Sequence, residues 1–138
     1  MVSLIIGHKG SGKTKHLIEL VNSAVESSDG NVVCVEKEPK LTYDVNYRVR
    51  LIDTIFYGIQ GYDAFYGFLC GVCAGDHDIT DIFIDTTLKI SGEDYEQLAD
   101  FLADIDKTCK AFNKKITLTI SADKDDLPKR IFDFCTVI

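Results

Sequence analysis

The chain has 138 residues, 46% of them hydrophobic and 27% charged, which suits one globular domain with one core and excludes a disordered chain. Its formal net charge is −7 and its only arginines are Arg48, Arg50 and Arg130. This argues against a broad nucleic-acid surface, because neutralising phosphates takes clustered Lys and Arg, and leaves a local basic groove open.

No apolar run is long enough to span a bilayer. Met1-Val2-Ser3-Leu4-Ile5-Ile6 has no basic flank and no cleavage site, so it is not read as a signal peptide, and the expected location is cytoplasmic. Five cysteines, an odd number without a secretion signal, argue against a disulfide framework. Cys70-Gly-Val-Cys73 has the spacing of a metal or redox pair, but it lies in an apolar stretch with no second pair. A packed helix face accounts for it better.

Val2 to Ile6 is a short apolar run ending at Gly7 and predicts a buried strand. Beyond a glycine-rich loop, Leu17, Ile18, Val21, Ala24 and Val25 recur at helical spacing until Ser27-Ser28-Asp29-Gly30-Asn31 breaks the helix. Val32-Val33-Cys34-Val35 is a second continuous apolar run, the pattern of a strand covered on both faces. Tyr47 to Ile52 alternates and predicts a short strand or a hairpin arm, and the aromatic, glycine-dotted Tyr62 to Val72 reads as helix. Ile79 to Ile84 is a third core strand, ending at Asp85.

Ser91-Gly92-Glu93-Asp94 matches a capping pattern at a helix start. Tyr95, Leu98, Leu102, Ile105, Cys109 and Phe112 follow at spacings of three and four, one buried stripe. Ile116 to Ile120 is a fourth strand, Asp126-Leu127-Pro128 opens a short helix, and Cys135 to Ile138 closes the sheet as a fifth strand. Apolar strands alternating with amphipathic helices imply right-handed βαβ units. The predicted fold is a three-layer α/β/α domain over residues 1–138, with a mainly parallel five-stranded sheet.

The loop Gly7-His8-Lys9-Gly10-Ser11-Gly12-Lys13-Thr14 meets the pattern G-x-x-x-x-G-K-[ST] in full, between a strand and an amphipathic helix. The glycines let the backbone turn tightly and aim N–H groups inward, where a side chain would block an anion. Lys13 places an ammonium against the β- and γ-phosphates of a nucleotide, and the Thr14 hydroxyl suits Mg²⁺, a hard ion that prefers oxygen. The helix N-terminus adds its dipole. A nucleoside triphosphate, ATP with Mg²⁺, is the ligand these residues call for.

On these residues the chain resembles the P-loop NTPases, in their RecA/AAA-like branch, and the resemblance covers the general layout of the domain. Ile82-Phe83-Ile84-Asp85 is similar to the family's Walker B strand, which implies that Asp85 holds Mg²⁺; a plain strand-end cap is the alternative. Ser121 or Thr119 ends the following strand, where many members keep a polar sensor. Asn46 to Asp53, with Gly61 to Phe68, also resembles a group of small bacterial RecA-like ATP-binding proteins.

The resemblance is incomplete where hydrolysis begins. RecA/AAA-like members usually follow the Walker B Asp with a Glu that polarises water, and here Asp85 is followed by Thr86-Thr87. Glu36 and Glu38, ending the second strand, are the substitutes, against a solvated loop of mixed charge as the plainer reading. Slow or partner-stimulated turnover follows. Arg48 and Arg50, on a candidate hairpin, or Arg130 could act on a neighbouring copy's nucleotide, although each also fits a surface role. Lys9 is a further charge near the γ-phosphate, whereas His8 and His16 read as a variable loop position and a helix-face residue.

Two other classes compete with this ATP-binding switch or weak ATPase. A nucleoside or small-molecule kinase could stack an acceptor base on Tyr57, Tyr62, Phe65 or Tyr66, but an Arg-rich lid and a paired-cysteine lobe are missing. A non-catalytic module could present the aromatic Phe56 to Gly75 region to a protein partner or a second copy if that region is exposed, although a buried helix accounts for it better.

Overall fold

A computed structural model describes residues 1–138. Strand β1 (Val2–Gly7) runs through the glycine loop into helix α1 (Lys13–Ser27), and the chain crosses to β2 (Asn31–Glu36). A loop leads to β3 (Arg50–Asp53), and α2 (Tyr62–Gly75) returns the chain to β4 (Ile79–Ile84). A short α3 (Thr87–Ser91) and the long α4 (Tyr95–Phe112) precede β5 (Lys115–Ser121). Two 3₁₀ turns, Lys124–Asp126 and Lys129–Asp133, then lead to β6 (Cys135–Val137).

The six strands lie in the order β3-β2-β4-β5-β1-β6, and every pairing is parallel. The sheet thus has one strand more than predicted. Arg50–Asp53 adds to the outer edge of β2 in the same direction, with Glu36 opposite Asp53, so it is an edge strand and not a hairpin arm.

Strand periodicity of two sends alternate side chains to two separate cores. Leu4, Val33, Val35, Ile82 and Ile84 enter a cluster of 26 buried residues under α2 and α4. Ile5, Val32, Cys34 and Phe83 enter a cluster of 8 with Leu17 and Val21 of α1. The continuous apolar run in β2 is explained by this double coverage. The two layers are unequal, however: one is a deep aromatic core, the other a thin layer closed by α1 and the loop carrying Leu41 and Val49.

Helix α2 belongs to the deep layer. Tyr62 and Phe65 pack on Phe101 at ring distances of 5.3 and 5.5 Å, and the buried stripe continues through Leu69 and Cys73. The five cysteines are free thiols, and Cys70 and Cys73 lie along one helix. Burial pushes Cys34 and Cys135 up to about 12, so neither is a ready thiolate at neutral pH.

The helix start after α3 falls three residues later than the capping pattern implied. Ser91 ends α3, Gly92 turns the chain at φ 114°, and Asp94 is the cap, its Oδ1 accepting the N–H groups of Glu96 and Gln97 at 3.0 Å. An Asp satisfies these orphan donors as well as a Ser. Because all strands are parallel, Gly7, Glu36, Asp53, Ile84 and Ser121 all arrive at the same edge of the sheet. That edge is where the chain's candidate chemistry collects.

Candidate phosphate-binding site

The loop between β1 and α1 is shaped by its glycines. Gly10 and Gly12 take φ of 84° and 87°, a region that costs other residues strain. At Gly7 the constraint is space instead: a Cβ there would lie 2.5 Å from Ser11 Oγ. Gly12 caps α1 and no side chain bonds the first N–H groups of the helix, so these donors face the loop's concavity. The His8 carbonyl accepts both the Ser11 N–H at 3.1 Å and the Lys13 ammonium at 2.7 Å. Lys13 is 9% exposed. Burial lowers its pKa below the usual lysine value, and the negative charge of Asp85 works against that shift.

Asp85 follows β4 and is 7% exposed. Its two carboxylate oxygens each lie 3.1 Å from Thr14 Oγ1, which donates to them, and Thr119 Oγ1 donates to Oδ1 at 2.8 Å. The Asp85 N–H donates to the Val35 carbonyl at 2.9 Å. The carboxylate thus joins the start of α1 to β5, and the backbone of the same residue adds β2. Thr119 also accepts the Thr86 N–H at 2.7 Å. Thr86 itself stands at φ 52°, ψ 51°, a left-handed conformation unusual for a β-branched residue.

A cavity of about 800 Å³ opens above these groups. Lys9, Lys13, Lys15, Lys40 and Lys89 line it against two carboxylates, Asp85 and Glu93. On a chain of net charge −7, this mouth is a local positive field. His8 also lines the rim and pairs with Asp123 at 2.9 Å.

Glu36 is buried at 3% exposure, so it is not part of a solvated mixed-charge loop; only Glu38 beside it is exposed. Its Oε1 accepts the N–H groups of Lys40 at 2.7 Å and Leu41 at 3.2 Å, while Oε2 is buried without a partner. Burial raises its pKa above the ordinary carboxylate value; the two N–H bonds oppose the shift, and the charges of Asp53 and Asp85 reinforce it.

Of the residues singled out in the sequence, the loop, Lys13, Thr14, Asp85 and Thr119 come together. Ser121 lines the cavity from the end of β5. The arginines do not join them within one chain. Arg48 pairs with Glu26 at 3.2 Å, and Arg130 with Glu96 and Asp100 at 3.0 and 2.9 Å. Arg50 starts β3, at the end of the strand away from the loop. The acceptor-base aromatics are elsewhere too: Tyr62 and Phe65 are core, and the Tyr66 hydroxyl bonds Thr108 at 2.9 Å. Tyr57 stands exposed against Phe56. The Phe56 to Gly75 region is therefore a buried helix preceded by an exposed aromatic pair.

Sequence reasoning missed Lys40 and Lys89. Each follows a core strand within a few residues, at the edge where open α/β sheets bind ligands, and that position was the available signal.

No family model and no curated protein matches the chain. Solved structures do match. The KaiC-like protein PH0186 from the hyperthermophilic archaeon Pyrococcus horikoshii OT3 superposes with a TM-score of 0.67 at 15% identity, over 96% of this chain and 66% of that one. The flagellar accessory protein FlaH from Methanocaldococcus jannaschii gives 0.60 at 15% identity, over 96% and 65%. The chain shares their fold. It spans just under two thirds of the length of each, and both are archaeal rather than members of the small bacterial group.

Replacing Thr119 by Val deprives the strained Thr86 of its acceptor. Urea denaturation should show a loss of about 1–3 kcal/mol, with Thr119→Ser restoring most of it; a fully stable Val variant would contradict the bond's role. Glu36 gives a pH test. Its raised folded-state pKa means that its contribution is fullest below the ordinary carboxylate value and is lost as pH rises through the folded value. Glu36→Gln, which keeps the Oε1 acceptor, should melt at or above the wild-type temperature at pH 8, and the gap should close towards pH 4. A glutamine variant weakest at pH 8 would contradict this.

Proposed function

We propose that this chain binds Mg·ATP at Gly7–Thr14 and acts as a nucleotide-dependent switch with slow or partner-stimulated hydrolysis. The observation that carries the proposal is the Thr14 hydroxyl held 3.1 Å from both oxygens of Asp85, beneath a glycine loop and an uncapped helix. A chance glycine turn would have no reason to bury a carboxylate against that hydroxyl.

The residues suit each part of the ligand. The N–H groups of Gly7–Thr14 (His8, Lys9, Gly10, Ser11, Gly12 and Lys13 between them) cradle phosphate oxygens, and Lys13 adds its ammonium. Thr14 and Asp85 are hard oxygen donors set side by side, which fits Mg²⁺, with Thr14 the direct ligand and Asp85 acting directly or through water. When bound, Mg²⁺ neutralises charge on the β- and γ-phosphates. Thr119 fixes the Asp85 carboxylate for that task.

Slow turnover follows from how the carboxylates are used. Thr86 stands where related proteins place a water-polarising Glu. Glu36 can take that role only through Oε2, since Oε1 is engaged with Lys40 and Leu41, and Oε2 is shut away from solvent. Hydrolysis then requires the 37–41 loop to move. A protein partner or a second copy could drive that movement, and in an assembly Arg48, Arg50 or Arg130 could meet a neighbour's nucleotide. No helix is long and apolar enough to cross a membrane, and a cytoplasmic location with no nucleic-acid surface is part of the proposal.

Calorimetric titration with Mg·ATP tests binding. Lys13→Ala should weaken affinity by roughly 30- to 100-fold, since the ammonium's charge-assisted bonds to phosphate are lost. Unchanged affinity would refute the proposal. For the isolated chain, turnover should fall well below ~10 s⁻¹, the middle of the enzyme range; a rate of tens per second would refute the slow-hydrolysis reading.

A further inference from the structure

We infer that Lys40, on the loop after β2, and Lys89, on α3 after β4, hold the terminal phosphate and make the pocket selective for a nucleoside triphosphate over a diphosphate. The inference rests on Gly7–Thr14 being the phosphate loop, as proposed above.

Two cavities meet at this edge of the sheet. The larger, about 800 Å³, is lined by the glycine loop. The smaller, about 390 Å³, is lined by no residue of the glycine loop and no apolar one, and Glu36, Lys37 and Glu38 line the part of it that the larger does not share. They share Lys40, Asp85, Thr86 and Lys89. A phosphate chain anchored on the loop's N–H groups and on Thr14 runs towards Asp85, because Thr14 and Asp85 are already in contact. Its free end therefore reaches the boundary that the four shared residues form. Lys9 and Lys15 line only the larger cavity, nearer the anchored part of the chain.

The terminal phosphate carries more charge than the others, and the boundary offers two ammonium groups beside the Asp85 carboxylate. Both are available. Lys89 makes no ion pair, and Lys40 has only Glu38 at 3.7 Å, with the two side chains 72% and 50% exposed. Such an exposed pair is worth little and yields readily to a phosphate.

A hydrogen bond positions each backbone. The Lys40 N–H donates to Glu36 Oε1 at 2.7 Å, and the Lys89 N–H donates to the Thr86 carbonyl at 3.0 Å. None of the three arginines lines either cavity, and Lys37 lines only the smaller one, so Lys40 and Lys89 are the two cations common to both. Glu36 acts here as a positioning residue, through the loop that carries Lys40.

The test is calorimetric titration, in Mg²⁺, with the β,γ-imido analogue of ATP and separately with ADP. Lys40→Ala and Lys89→Ala should each weaken the triphosphate about tenfold and the double variant about fiftyfold, with ADP held within about twofold. Lysine-to-arginine versions should recover most of the loss. Lys107→Ala, on the exposed side of α4 and in neither cavity, should leave both ligands unaffected. Equal losses for both nucleotides, or a neutral double variant, would overturn the inference. Lys13→Ala separates the two claims: if it weakens binding while the double variant is neutral, only the terminal-phosphate role fails. If Lys13→Ala changes neither ligand, the phosphate-loop reading fails with it. Circular dichroism and melting on each variant confirm that binding is compared between folded proteins.

Discussion

The carboxylate of Asp85 is the point on which this structure turns. A buried charge is tolerated only when other groups compensate it. Here the compensation comes from three groups in two parts of the chain: the Thr14 hydroxyl and the nearby Lys13 ammonium at the start of α1, and the Thr119 hydroxyl in β5. The backbone of the same residue bonds β2. These bonds tie the start of α1, and with it the glycine loop, to the sheet. The strained Thr86 persists because Thr119 also holds its N–H.

The unequal layers decide which side of the site is rigid and which can move. The β4–β5 side stands on the deep core, where aromatic rings from α2 and α4 interlock. The β2 side is covered by the thin layer, and the 37–41 loop is fastened there by Glu36 Oε1, by the Ile55 N–H on the Lys37 carbonyl and by the buried Leu41. Its Glu38, Pro39 and Lys40 are exposed above the smaller core, which places that stretch nearer the low-stability end of the molecule. A switch built on this fold would move there first. Lys40 stands on that loop and Lys89 on the β4 side, so a ligand held between them couples the movable wall to the fixed one.

Legibility in the sequence followed the range of the physics. The phosphate loop was legible because its constraints are local: left-handed glycines, a strand before and a helix after. Asp85 was legible because an uninterrupted apolar strand ended at it. Thr119 was only half legible, since choosing it over Ser121 needs the register that sets β5 beside β4. Glu36 misled in its plainer reading because its burial comes from β3 joining the sheet edge, a long-range event that composition does not carry. The aromatic run at Tyr62 to Phe68 read better as a buried helix than as a partner surface, and its Tyr62 and Phe65 do enter the core, where α4 supplies Phe101 from far along the chain. Lys40 and Lys89 gave only a weak signal, their place just after a core strand, since an exposed lysine there is common. Their meaning arises only where two loops converge.

The most direct measurement of the central claim is a crystal structure grown with Mg²⁺ and a non-hydrolysable ATP analogue at saturating concentration. The account predicts phosphate oxygens on the N–H groups between Gly10 and Thr14, the Lys13 ammonium transferred from the His8 carbonyl to phosphate, and the metal beside Thr14 and Asp85. An analogue bound elsewhere, with the Lys13–His8 and Thr14–Asp85 bonds intact and the loop free of phosphate, would contradict it.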